Sequence, residues 1–172
     1  MLQDLRPVVQ VILEGYTLPL EGFHGITHWA RVLENGLRLC EETGADPEVV
    51  RLFAVFHDAR RFNESFDPGH GQRGAELAKA LRGKVFELTD SQFALLETAC
   101  IDHTDELTHP DATIATCWDA DRLDLGRVGM TPDPELLCTA AGRRPEIIRQ
   151  AHGRAVFRTV PDLVAEEWGV VL

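Results

Sequence analysis

At 172 residues, with 44% hydrophobic and 26% charged residues, the chain has the make-up of one folded domain over 1–172, long enough to bury a sizeable core and unlike a disordered segment. Its formal net charge of -11 argues against nucleic acid or an anionic membrane as the main partner, since both call for clustered Lys and Arg. A small phosphorylated substrate stays open, because a bound metal ion makes a local positive spot in an acidic protein.

In chain order, Leu5 to Leu13 reads as a short helix, followed by the Gly-rich stretch Gly22-Phe23-His24-Gly25. Trp29, Val32, Leu33, Leu37 and Cys40 then recur at helical spacing until Thr43-Gly44. Asp46-Pro47-Glu48 is a helix start, with a capping Asp, Pro at the first helical position and an acid in the first turn. The helix it opens, through Val49, Val50, Phe53, Ala54 and Phe56, is nearly all apolar and is predicted to be central and buried. It delivers His57-Asp58 at its end. Asn63 to Gly69 is loop-like, Arg73 to Leu81 helical, and Lys84 to Leu88 the one strand candidate. Thr89 to Gln92 caps a helix running to His103. Asp111 to Leu125, Pro134 to Ala141, Pro145 to Phe157 and Pro161 to Trp168 are read as the remaining helices. The expected class is all-α, a compact orthogonal helical bundle.

The cysteines Cys40, Cys100, Cys117 and Cys138 are widely spaced and sit in apolar stretches, as small buried hydrophobes do in a reducing compartment. The opening Met1-Leu2-Gln3-Asp4 lacks the basic region of a signal peptide, and no apolar run nears membrane-spanning length. The expected location is the cytoplasm. Val160 to Leu172 is apolar enough to pack on the core or on a second copy of the chain, which leaves a homodimer open.

The chemistry is carried by His and Asp. An imidazole and a carboxylate side by side at the end of a buried helix are costly without a partner, and a metal supplies one. Nitrogen and carboxylate donors together suit Mn, Fe, Co, Ni or Zn, with Mg also open. Around His57-Asp58 lie His28-Trp29-Ala30-Arg31 upstream, and His70-Gly71-Gln72-Arg73-Gly74-Ala75, Ile101-Asp102-His103-Thr104 and Asp119-Ala120-Asp121-Arg122-Leu123-Asp124 downstream.

The ordered set His28, His57-Asp58 and Asp121-Arg122-Leu123 resembles the HD-domain superfamily of metal-dependent phosphohydrolases, over roughly Gly22 to Gly126. The resemblance implies a helical fold and a metal held by His28, His57, Asp58 and Asp121. Asp121 is preferred to Asp119 and Asp124 because a basic residue and Leu follow it; the other two are then outer acceptors or surface acids. His70 followed by Gly74-Ala75 is similar to the His-Pro-x-x-Gly-Ala element of binuclear members, with Gly71 in place of Pro, and His103-Thr104 is similar to their later His. With both, the centre has six ligands and Asp58 bridges two ions. The alternative is one ion, with His70 and His103 meeting a phosphate and serving as catalytic acids. Asp58 would also orient the attacking water. The substrate expected is a small phosphoester, nucleotide or cyclic nucleotide. Two further outcomes of the resemblance are a di-iron oxygenase cleaving C-C or C-P bonds, and a non-catalytic interaction module.

Arg60 and Arg61 follow the His57-Asp58 pair and are read as phosphate-binding. His24 is expected at a pocket rim or the surface, His109 and His152 on the surface, and Trp29 and Trp118 in the core.

Overall fold

The computed structural model describes residues 2–172, folded among those residues as eight α-helices and two 3-10 turns, with no strand. They are α1 (Arg6–Glu14), α2 (Ile26–Thr43), α3 (Pro47–Phe56), α4 (His70–Leu81), α5 (Asp90–Asp102), α6 (Ala112–Arg122), α7 (Pro145–Val156) and α8 (Leu163–Glu166). The all-α expectation holds, and no helix among the described residues is long and apolar enough to cross a membrane.

Helix α3 is the axis of the fold. Asp46 starts it by accepting from the Glu48 and Val49 amides, satisfying donors that a first turn otherwise leaves open. Every residue from Val49 to Phe56 is buried, and α2, α4, α5 and α6 all pack against it. Each fully buried Leu, Val or Phe side chain there contributes about 1.5–3 kcal/mol. The helix is thereby pinned on all sides, and so is the His57-Asp58 pair at its end.

Helices α5 and α6 begin where the sequence places their caps, Thr89 in a capping box with Gln92 and Asp111 on the Thr113 and Ile114 amides. Helix α4 starts at His70, three residues earlier than read. Two glycines seat it. A Cβ on Gly74 would lie 2.2 Å from the Phe56 carbonyl oxygen, and one on Gly71 would lie 2.1 Å from that of Cys100. Only bare backbone lets α4 approach the ends of α3 and α5 together at this spacing.

Two helix readings are corrected, and the one strand candidate forms no strand. Lys84 to Leu88 is no strand: one isolated bridge joins Arg82 and Phe86, and the Arg82 guanidinium donates to the Leu88 carbonyl. Pro134 to Ala141 is helical only at Pro134–Leu136, because the Asp119 carboxylate takes the Cys138 and Thr139 amides (2.6 and 2.8 Å) and holds that chain out of a helix. Helix α6 stops at Arg122, and Leu125–Val128 winds as a 3-10 turn. The C-terminal stretch divides: Val164 and Trp168 are buried in the core, while Val171 and Leu172 are exposed. Cys100 and Cys117 are buried, Cys40 and Cys138 half-buried, and all four are free thiols.

Candidate metal centre

Helix ends build the site. His28 lies in the first turn of α2, His57 and Asp58 directly follow α3, His70 opens α4, His103 follows α5, and Asp121 lies in the last turn of α6. All six predicted ligands are brought together.

They form two groups that share one carboxylate. His28, His57 and Asp58 make the first, and Asp58, His70 and His103 the second; each offers three donor atoms close enough to hold an ion. In the first, His28 Nε2 lies 3.1 Å from His57 Nε2, 3.5 Å from Asp58 Oδ2 and 3.3 Å from Asp121 Oδ1. In the second, His70 Nε2 lies 3.0 Å from His103 Nε2 and 3.4 Å from the other Asp58 oxygen, Oδ1.

The far side of each ring decides what these nitrogens present. His57 Nδ1 faces the Phe53 and Ala54 carbonyls at 3.1 Å, His70 Nδ1 the Asp67 carbonyl and His103 Nδ1 the Cys100 carbonyl, both at 2.7 Å. His28 Nδ1 faces the Asp124 carboxylate at 2.7 Å. Carbonyls and ionised carboxylates only accept, so each Nδ1 carries a proton and donates it. With that Nδ1 proton in place a neutral ring turns an Nε2 lone pair inward, and two Nε2 atoms facing each other at 3.0–3.1 Å need a proton or a metal ion between them. Asp121 Oδ1 adds a second unmet need, being buried without a hydrogen-bond partner. A divalent ion fits both, and the N/O donor set is that of a first-row transition metal.

The electrostatics follow from the same contacts. Burial and Arg127 push His28 down, yet the carboxylates of Asp121, Asp124 and Asp58 around it outweigh them and raise its pKa to about 9. Burial lowers His57 to about 3. The two facing imidazoles therefore hold one proton between them, on His28, where a metal would replace it. Burial also raises Asp58 and Asp121, but their histidine neighbours prevail and hold both carboxyls well below the usual range. His70 is lowered, chiefly by burial.

The neighbouring acids divide as the sequence left open. Asp124 is an outer acceptor, fixing His28 while receiving Arg31 Nε at 2.7 Å. Asp119 points away, into the 137–142 loop, and is a structural brace.

A cavity of about 400 Å³ opens onto the centre, with Asp58, His70, His103 and Asp121 in its wall. Arg61 also lines it, but it donates to the Asn63 and Ser65 carbonyls and lies 3.4 Å from Asp58 Oδ1, so it braces loop and ligand. Arg60 is not among the residues lining the cavity; its guanidinium donates to the Ile12 and Ala59 carbonyls. Consecutive residues leaving a helix end diverge, and only one of the pair faces inward. His109 and His152 are half-buried rather than on the surface; His109 accepts from the Asp111 amide and sits edge-on to Trp118.

His24, expected at a pocket rim or the surface, lines the cavity and reaches Asp58, while Arg127 carried no expectation. His24 Nδ1 lies 2.8 Å from Asp58 Oδ2, in contact with the shared carboxylate. It lies in the turn before α2, within the Gly-flanked stretch that leads into His28. Arg127 sits in the 3-10 turn after α6, with Nη2 3.7 Å from Asp121 Oδ1 and Nε donating to the Phe23 carbonyl. No local pattern marks it.

Comparison with known proteins identifies the family. A family model described as HD domain matches residues 25–141. No curated protein and no solved structure matches the chain.

Proposed function

Because the chain belongs to the HD-domain family, whose superfamily is one of metal-dependent hydrolases, we propose that it hydrolyses a small phosphoester at a two-metal centre. His28, His57, Asp58 and Asp121 hold one ion, and Asp58, His70 and His103 the other. The observation that carries this is Asp58, whose Oδ2 faces one inward-pointing histidine pair and whose Oδ1 faces the other. Divalent ions bound there lower the pKa of water and neutralise charge on a phosphoryl group.

The protein's own groups set the rest. As ligands, His70 and His103 have no Nε2 proton to donate; the acid role read for them belongs to the one-ion alternative. Arg61 and His24 orient Asp58 from its two oxygens. Arg127 Nη2, without a hydrogen-bond partner among the described residues, faces the cavity beside Asp121 and is suited to a phosphoryl oxygen. The cavity volume is that of a small-molecule site.

Metal analysis of the purified protein, joined to a phosphoester screen with added Mn, tests the proposal. Two ions per chain and metal-dependent phosphate release are expected. Two irons, dioxygen consumption and no phosphate release would favour the oxygenase chemistry that the same ligands permit.

A further inference from the structure

The loop between α3 and α4 carries two exposed phenylalanines in different settings. Phe62 is 69% exposed and has the Arg73 guanidinium 3.9 Å above its ring. Phe66 is 85% exposed, lies at the edge of the metal-centre cavity, and meets no aromatic or cationic side chain among the described residues.

The backbone under Phe66 is nevertheless pinned. Asn63 Oδ1 accepts from the Ser65 amide at 2.8 Å and its hydroxyl at 3.0 Å. Arg61 holds the Asn63 and Ser65 carbonyls. The Asp67 carboxylate receives the Phe62 amide and Arg73 Nη2, both at 2.7 Å. The Asp67 carbonyl is also the acceptor that fixes His70. One tight turn thus sets the position of a metal-facing histidine and of an unpartnered ring at the entrance above it.

We propose that Phe66 is a stacking platform, and that the preferred substrate joins a planar aromatic ring to its phosphoryl group. This deepens the proposed function and rests on it for the place of the phosphoryl group, near Asp58, Asp121 and Arg127. A flat apolar face on a preorganised loop offers stacking with little further loss of freedom on binding. Such stacking accepts any planar ring, so nucleoside monophosphates and aryl phosphates share the relevant chemistry.

The test uses the Mn-loaded full chain and two substrate pairs: phenyl phosphate against ethyl phosphate, and adenosine 5′-monophosphate against ribose 5-phosphate. In parallel, calorimetry compares phenylphosphonate with ethylphosphonate, which bind without turnover. The wild type is expected to favour the aromatic member about tenfold, mainly through KM and Kd. Phe66→Ala abolishes that preference, Phe66→Leu weakens it and Phe66→Trp retains it. A preference in both substrate pairs supports a general ring platform; one confined to the nucleoside pair supports a nucleobase platform. No preference in the wild type, or an undiminished one in Phe66→Ala, overturns the proposal. If no phosphoester is turned over, the hydrolase reading fails, and the phosphonate Kd ratio still decides the role of Phe66. Circular dichroism checks that the variants keep the fold.

Discussion

The two halves of the centre are built from the same residue types but are held differently. His28 and His57 are fully buried between α2, α3 and α6, and His28 is backed by the Asp124 carboxylate and Arg31. His70 and His103 sit in the cavity wall and are backed by the carbonyls of Asp67 and Cys100. A carboxylate behind an imidazole strengthens it as a donor more than a neutral carbonyl does. The first half is therefore expected to be the tighter site and the second the one that opens to substrate, with Asp58 shared between them.

The largest expected effect breaks that joint. Asp58→Ala removes a donor from each half, and metal content by plasma emission should fall from two ions to none, with phosphate release lost. An ion retained at full affinity would mean that the halves do not depend on Asp58.

Gly71→Ala comes next. Its Cβ would meet the Cys100 carbonyl oxygen at 2.1 Å and His103 Nδ1 at 3.2 Å. Forcing α4 off α5 should cost about 1–3 kcal/mol in a denaturant melt and separate His70 from His103. The second half then loses its ion while the first keeps its own.

Asp124→Asn sharpens the difference in backing. Affinity in the first half should drop about 10–100-fold by chelator competition, with little change in the second. An equal drop in both would show that the backing groups do not distinguish them.

A smaller effect appears with pH. In the metal-free protein His28 is raised from 6.5 to about 9, so its stabilising contribution is complete below pH 6.5 and is lost as pH rises through about 9. His57 is lowered to about 3, so the unfolded chain takes up a proton below pH 6.5 that the folded chain refuses, and acid destabilises it. Metal-free stability should therefore peak near pH 6.5 and fall on either side by up to about 1.4 kcal/mol per pH unit. With metal at saturating fixed free concentration, that fall between pH 6.5 and 9 should disappear, since the metal replaces the His28 proton and folding then takes up none. Thermal melts with and without metal check the sign.

The smallest effect on turnover is Arg60→Ala. With the guanidinium tied to the Ile12 and Ala59 carbonyls, KM should stay within about twofold, while stability should fall by about 1–2 kcal/mol. A large rise in KM would restore Arg60 to the cavity.

Much of this was legible because helix ends are locally encoded. Asp46, Thr89 and Asp111 each cap the helix they precede, and those helices, with α2 and α4, carry the six metal-facing residues to one place. What was not legible depended on partners far along the chain. The helix read at Pro134 to Ala141 is undone by Asp119, which captures two of its amides from another element. Arg127 gains its role only when the turn after α6 folds back beside Phe23. His24 looked like a residue of the Gly-rich rim until α3 placed Asp58 against it. Arg60 and Arg61 are equivalent in sequence and diverge in space.

The central claim is that two half-sites share Asp58. Metal stoichiometry of the wild type beside the His70→Ala/His103→Ala double variant tests it most directly. The account predicts two ions per chain falling to one, with the remaining ion still held by His28, His57, Asp58 and Asp121. A stoichiometry that is the same in both proteins would contradict it.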